Sequence, residues 1–336
     1  MQFNSRSMPM KGRRSFLALA IGAGGWGLAQ ARGPRLHVRR AWALGAPVTL
    51  SLRADSAAHA DAAADAAFAE LRRIESALSL YRPDSEVCRL NRTGRLEGAS
   101  EDLLAVLAFA AETSARSAGA FDVTVQPLWG LHDRCRRRGT PASEAEIAQA
   151  RARVDWRRVE LRGHTVRLLP PLESITLNGI AQGYATDRAA QALRRAGIHE
   201  ALIDAGELAP LATSASPPPH RVGIRHPREV DALIAQLDLR GRCLATSGDY
   251  VSVFTPDRKL HHLLDPTTGV SPELPASVSV LAPTAMEADA MSTALFVMGA
   301  DRGLRLARES AGLDALFVLK DGRALATPGF PPSFIA

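Results

Sequence analysis

Short β-prone runs alternate with helix-length amphipathic segments from one end of this chain to the other, and no seam divides them. That alternation restricts the fold to a mixed α/β architecture in one compact unit. Residues 43–53 (ALGAPVTLSLR) read as a strand with a glycine turn. Residues 57–78 form an alanine-rich helix with Ala64, Phe68, Leu71, Ile74 and Leu78 as its apolar stripe. A loop and short helix cover 79–91, where Pro83-Asp84-Ser85 supplies turn and cap chemistry. Next come a helix over 101–117 that stops at Gly119, a loop-rich stretch over 120–140 and a helix over 142–152. Strands are expected around Val159 and Val166, ahead of the break at Pro170-Pro171. A helix entered through a glycine turn then spans 178–195, followed by a buried strand over 201–204 and a flexible loop over 214–219 (SASPPP). Further strands are expected near 221–224, 233–239, 243–247, 251–254 and 277–282. Two helices, 287–298 and 302–311, and a hairpin of 314–319 with 323–326 close the chain.

Composition narrows the function classes. Of 336 residues, 46% are hydrophobic and 23% charged, which excludes disordered, collagen-like and disulfide-dense proteins. Cys88, Cys135 and Cys243 are too scattered for a zinc site, give no disulfide framework and read as packing residues. The net charge of +6 suggests a polyanion partner until its location is considered. Residues 1–31 hold Arg6, Lys11, Arg13 and Arg14 and no acid, so the remainder sets 37 bases against 35 acids. So near-neutral a remainder is no nucleic-acid surface.

Those first residues read instead as an address. Arg13-Arg14-Ser15-Phe16-Leu17 precedes the apolar run Leu17 to Leu28 and an Ala29-Gln30-Ala31 cleavage site. The arginine pair points to twin-arginine export, with residues 1–31 as the signal peptide, 32–336 as the mature protein and the periplasm as destination. The run is too short to cross roughly 30 Å of hydrocarbon, and no later segment reaches 18 uncharged apolar residues.

Three segments carry chemistry. In Pro283–Phe296, Asp289 and Thr293 stand one helical turn apart on an otherwise apolar helix. Two hard oxygens at that spacing suit Mg²⁺, and their apolar setting means that the charge needs a partner. Leu177–Asp187 contains Gly179 and Gly183 at a helix start, where backbone approaches closely and exposed N–H groups favour an anion. In His261–Gly269, a histidine three residues before Asp265 on a strand-to-turn junction suits a general base or a phosphate contact.

With Ser79–Glu86, Gly119–Thr124 and Ala245–Tyr250, these blocks resemble the FAD:protein FMN transferases, the ApbE family, in order and spacing from about Leu44 onward. Asn178–Gly183 and Asp204–Glu207 are most similar to the NosX-like branch associated with nitrous oxide reductase maturation. The resemblance implies two intimate lobes with the flavin in the cleft between them. It implies a Mg²⁺-dependent enzyme that splits FAD, passes FMN to a Thr or Ser hydroxyl as a phosphoester and releases AMP. The acceptor flavoprotein would be membrane-bound, a NosR-like or Na⁺-translocating/Rnf-type subunit. The implied metal ligands are Asp289, Thr293 and the Gly179 carbonyl. The implied FAD-binding set is Leu44, Tyr81, Ala120, Phe121, Asp122, Thr176, Gln182, Asp187 and Leu263. His262 would activate the acceptor, with Asp265 orienting it. Within that set Leu44 stands where the family commonly has methionine, Thr176 where it has aspartate and Gln182 where it has lysine. Glu207 replaces the second glycine of a common pair. These departures keep open a flavin carrier without transferase activity, or an FAD pyrophosphatase in which water replaces the acceptor.

Overall fold

The computed structural model describes residues 34–212, 220–229 and 231–331. The expected signal peptide over 1–31 and the expected 214–219 loop lie outside them. In chain order the strands are β1 (Arg35–Ala43), β2 (Ala46–Ala54), β3 (Arg95–Leu96), β4 (Val159–Arg162), β5 (Thr165–Leu168), β6 (Ala201–Asp204) and β7 (Leu208–Leu211). They continue as β8 (His220–Arg225), β9 (Leu233–Leu239), β10 (Cys243–Gly248), β11 (Pro275–Ala282), β12 (Asp314–Leu319) and β13 (Ala324–Ala326). The α-helices are α1 (Ala57–Leu78), α2 (Glu86–Thr93), α3 (Glu101–Arg116), α4 (Gln126–Arg138), α5 (Glu144–Arg151), α6 (Ala181–Arg195), α7 (Ala285–Met298) and α8 (Ala300–Glu309).

An eight-stranded sheet in the order β1-β2-β6-β7-β10-β11-β12-β13 forms the frame. Helices α1, α6 and α7 pack in sequence, α1 against β1 and β2 and α7 against β10 and β11. Leu202, Leu208, Leu244, Leu281, Leu316 and Val318 join a separate cluster with Val222, Ile224, Leu237 and Leu239 of the β8–β9 hairpin. Strand β11 is buried along its whole length, as a central strand covered on both faces must be. A third cluster of Leu128, Leu131, Cys135, Ala150, Phe254 and Leu264 joins α4 and α5 to the 254–264 segment. It forms the smaller lobe.

Helix α7 is apolar nearly all round because it is the inner helix of this layer. Its start is capped twice. Thr284 accepts from Glu287 N–H at 3.1 Å, and the Asp187 carboxylate of α6 accepts from Ala285 and Met286 N–H at 2.9 Å each. A carboxylate there satisfies donors that the helix cannot and meets the positive end of its dipole. Gly183 sets how closely α6 approaches. A Cβ at that position would lie 2.2 Å from the Ala285 carbonyl oxygen and 2.8 Å from the Asp289 Cβ.

Four expectations need correction. The 43–53 strand is the tip and second arm of a longer hairpin, because β1 (RLHVRRAWA) carries too many arginines to show a strand pattern. Residues 126–138 are helical, not loop. Leu128, Leu131 and Cys135 recur at helical spacing and are buried, and Pro127 sits in the first turn, where its missing N–H costs nothing. Residues 251–254 form turns with one isolated bridge, Val253 to His261, rather than a strand. Residues 208–211 (LAPL) form the strand β7, which the sequence does not signal because Pro210 argues against a ladder position.

Replacing Gly183 with alanine should destabilise the protein by about 1–3 kcal/mol, since backbone cannot yield as a flexible side chain would. Thermal melts of the two proteins check this; an unchanged melting temperature would mean that α6 and α7 are not held in register by this contact.

Candidate active site

One cavity of about 270 Å³ opens between the lobes. Its wall is built from the β1–β2 hairpin tip (Leu44 to Pro47), the 120–126 segment, the entry to α6, the β6–β7 turn, the end of β10 and one face of α7. Twelve of the site residues expected from the sequence line it: Leu44, Tyr81, Ala120, Phe121, Asp122, Thr176, Gly179, Gln182, His262, Leu263, Asp289 and Thr293. Asp187 and Asp265 are absent from that lining.

Asp289 is buried on the cavity floor, and its Oδ2 accepts from Gly183 N–H at 2.9 Å. The glycine that lets α6 approach thus also supplies the donor that fixes the carboxylate. Thr293 stands a turn along, its Oγ1 3.3 Å from Ser247 Oγ, which lies 2.8 Å from Ser292 Oγ. Backbone of Gly179 comes in against it: a Cβ there would sit 3.0 Å from Thr293 Oγ1. One carboxylate, one hydroxyl and a backbone segment therefore line the same cavity. Among the described residues no group of three or more His, Cys, Asp or Glu side chains is placed to hold a metal ion. The expected donor set has only one carboxylate, so it does not need such a group.

Charge is the more telling property. The described lining residues include four carboxylates, Glu75, Asp122, Glu207 and Asp289, and neither lysine nor arginine. Glu207 is buried, with Oε2 lacking a hydrogen-bond partner. Gln182, beside it, directs its amide towards the Ala205 carbonyl at 3.5 Å. Burial pushes the Asp289 carboxyl up to about 7, with Asp187 adding to the rise and the Gly183 hydrogen bond opposing it. Burial, then Asp289 and Asp204, raise Glu207 well above the usual carboxylate range. Burial and mutual repulsion thus hold these carboxyls towards their neutral forms, and each that ionises adds negative charge that no lysine or arginine of the described lining offsets.

The residues expected to contact the flavin divide by position. Phe121 and Leu263 are buried and give the cavity an apolar wall, while Tyr81 is 55% exposed at the mouth. Leu44 occupies the left-handed region (φ 55°) next to Gly45 (φ 71°), as a two-residue hairpin turn demands. Asp122 is a brace more than a contact. It accepts from Thr124 N–H (2.7 Å), Thr124 Oγ1 (2.6 Å) and Trp156 N–H (3.2 Å), which fixes the loop that carries Phe121. Thr176 donates its N–H to the Val123 carbonyl at 2.7 Å and ties the same loop down.

Two expected roles are reassigned. Asp187 caps α7 and so positions Asp289 from outside the cavity. Asp265 is committed to Thr267, accepting from its N–H at 2.7 Å and its Oγ1 at 2.6 Å. His262 Nδ1 lies 3.2 Å from the Ser252 carbonyl oxygen, so that carbonyl orients the ring. Neither Ser252 nor the bracing role of Gly183 is marked in the sequence, because both act through backbone atoms.

The profile of the ApbE family matches residues 44–317. The chain belongs to the ApbE family. A protein of Klebsiella pneumoniae named FAD:protein FMN transferase is 31% identical over 274 residues, 77% of each chain. One of the same name from Treponema pallidum is 32% identical over 299 residues, 81% of each. The crystal structure of the Pseudomonas stutzeri flavinyl transferase ApbE, apo form, superposes with a TM-score of 0.78 at 28% identity, covering 92% of this chain and 99% of that one. The Thermotoga maritima ApbE protein gives 0.79 at 28% identity, covering 88% and 98%.

The raised Asp289 carboxyl has a consequence for stability. It binds its proton more tightly folded than unfolded, so its contribution is present at low pH and is lost as pH rises from 3.8 towards about 7. With chelator present, the protein should melt lower near pH 7.5 than near pH 5, and Asp289→Asn should narrow that difference. Equal differences in the two proteins would mean that the carboxyl is not perturbed.

Proposed function

We propose that the chain is a Mg²⁺-dependent FAD:protein FMN transferase that modifies a Thr or Ser hydroxyl of a periplasm-facing, membrane-bound acceptor. The observation that carries this is the cavity's charge: four carboxylates and no lysine or arginine among its described lining residues. Such a cavity accepts a dinucleotide's pyrophosphate only with a divalent cation. Asp289, Thr293 and the Gly179 carbonyl fit that ion as hard oxygen donors with positions left for phosphate oxygens. Bound there, Mg²⁺ would neutralise charge on the pyrophosphate and its leaving group.

The chain's own residues account for the rest. The acceptor hydroxyl oxygen forms a bond to the FMN-side phosphorus, the bond from that phosphorus to the bridging oxygen breaks, and AMP leaves with that oxygen. A histidine whose Nδ1–H donates to the Ser252 carbonyl presents Nε2 as the acceptor nitrogen, so His262 takes the hydroxyl proton. Phe121, Leu263 and Leu44 receive the isoalloxazine, and Tyr81 stands at its edge. Gln182 can only hydrogen-bond where a cation would attract, which increases dependence on the metal.

Export by the twin-arginine route and a place in nitrous oxide reductase maturation belong to the same reading. The first is supported by Arg13-Arg14 with the Ala29-Gln30-Ala31 site, and the second by the Asn178–Gly183 and Asp204–Glu207 blocks.

The test uses protein recovered from the periplasm, whose first residue should be Arg32. It is incubated with FAD, Mg²⁺ and the periplasmic domain of a NosR-like or Rnf-type subunit. Fluorescent, denaturation-stable acceptor with free AMP is expected, and Asp289→Ala should reduce its formation to background while the melting curve stays cooperative. FMN and AMP free in solution would make the protein a pyrophosphatase, unchanged FAD would make it a carrier, and full activity in Asp289→Ala would refute the metal assignment.

A further inference from the structure

Strand β1 lies at the edge of the eight-stranded sheet and pairs only with β2 in that sheet. Its nine residues run for about 30 Å and end at the hairpin tip that lines the cavity. Ala43 and Ala46 flank the two-residue turn as a directly opposed pair. In such a hairpin Ala43, Ala41, Arg39, His37 and Arg35 bond to β2, and the alternate residues aim N–H and C=O outward. Leu36, Val38, Arg40 and Trp42 thus hold the free edge. The Val38 carbonyl accordingly accepts from the Arg39 guanidinium at 3.1 Å.

Among the described residues, nothing covers the face of the strand that the same four side chains form. Trp42 is 67% exposed and Leu36 60%, while the alternate side chains turn towards α1. Trp42 stands directly across from Pro47, itself a lining residue, so this apolar stripe runs into the cavity rim. Its charge is one-sided. Arg35 and Arg40 are exposed and have no acidic partner among the described residues, whereas Arg39 is paired with Asp61.

We propose that the flavin-accepting protein docks on this edge, adding an extended acidic segment as a ninth strand that leads its hydroxyl residue to the cavity mouth. The inference rests on the transferase reading above. Main-chain hydrogen bonds supply affinity in such strand addition, and the exposed side chains supply specificity. Charge selects the occupant. A second copy would set Arg35, Arg39 and Arg40 against the same three residues. Residues 1–33 of the chain itself carry five more bases and no acid. An acidic strand is the complement of both.

The probe is a fluorescein-labelled peptide of about twelve residues alternating valine or threonine with glutamate, long enough to span β1. Val38→Pro removes an outward N–H and leaves the β1–β2 ladder intact, as an edge strand permits. Arg40→Glu reverses charge without touching the backbone. The wild-type protein should bind the peptide saturably, and each variant should bind it about tenfold more weakly with FAD affinity unchanged. Absent binding, or wild-type binding by Val38→Pro and Arg40→Glu, would overturn the proposal. So would a dimer in sedimentation that Val38→Pro dissolves, or binding to phosphatidylglycerol vesicles that needs Trp42 and tolerates Val38→Pro. These failures are distinct from failure of the transferase reading, which would leave FAD unconverted whatever the peptide does.

Discussion

The hydrogen bond from Gly183 N–H to the Asp289 carboxylate ties together what the rest of this structure needs. It joins the entry of α6 to the middle of α7, the two helices that carry the buried polar end of the cavity. A side chain at position 183 would collide with the Ala285 backbone, so the bond exists only because the residue is glycine. Four residues on, Asp187 caps the start of α7 from the same helix. Two contacts from one turn of α6 therefore fix both where α7 begins and how its carboxylate is aimed.

That aim matters because the cavity is electrostatically incomplete. A buried carboxylate with one backbone donor and no cationic neighbour among the described residues is unfavourable as an ion, and Glu207 beside it adds to the penalty. The arrangement is useful where a cation arrives with the substrate, since the strain of unpaired charge is relieved only in the loaded state. Glutamine at position 182 is consistent with that division of labour. It hydrogen-bonds at the β6–β7 turn and adds no charge of its own.

Much of this was legible in the residues because helix and buried-strand periodicities are strong signals. The helix-turn spacing of Asp289 and Thr293, the glycine-entered helix and the buried strand β6 all read directly from the chain. What escaped did so for physical reasons. Strand β1 is an edge strand whose arginines suit the free edge and mask its alternation. Helix α4 was hidden by its basic C-terminal turn, although Leu128, Leu131 and Cys135 carry its stripe. Asp187 and Asp265 look like site residues by type and position. Only the fold reveals that one caps a neighbouring helix and the other closes its own turn. Backbone partners such as the Ser252 carbonyl leave no mark on residue type at all.

On the proposed transferase reading, this cavity holds a pyrophosphate tightly only together with a divalent cation. Equilibrium dialysis of FAD and of riboflavin, each with Mg²⁺ and with chelator, tests it directly, because riboflavin shares the ring and lacks the phosphates. The account predicts that Mg²⁺ tightens FAD binding at least about tenfold and leaves riboflavin binding unchanged. FAD binding that is equally tight with chelator would contradict it.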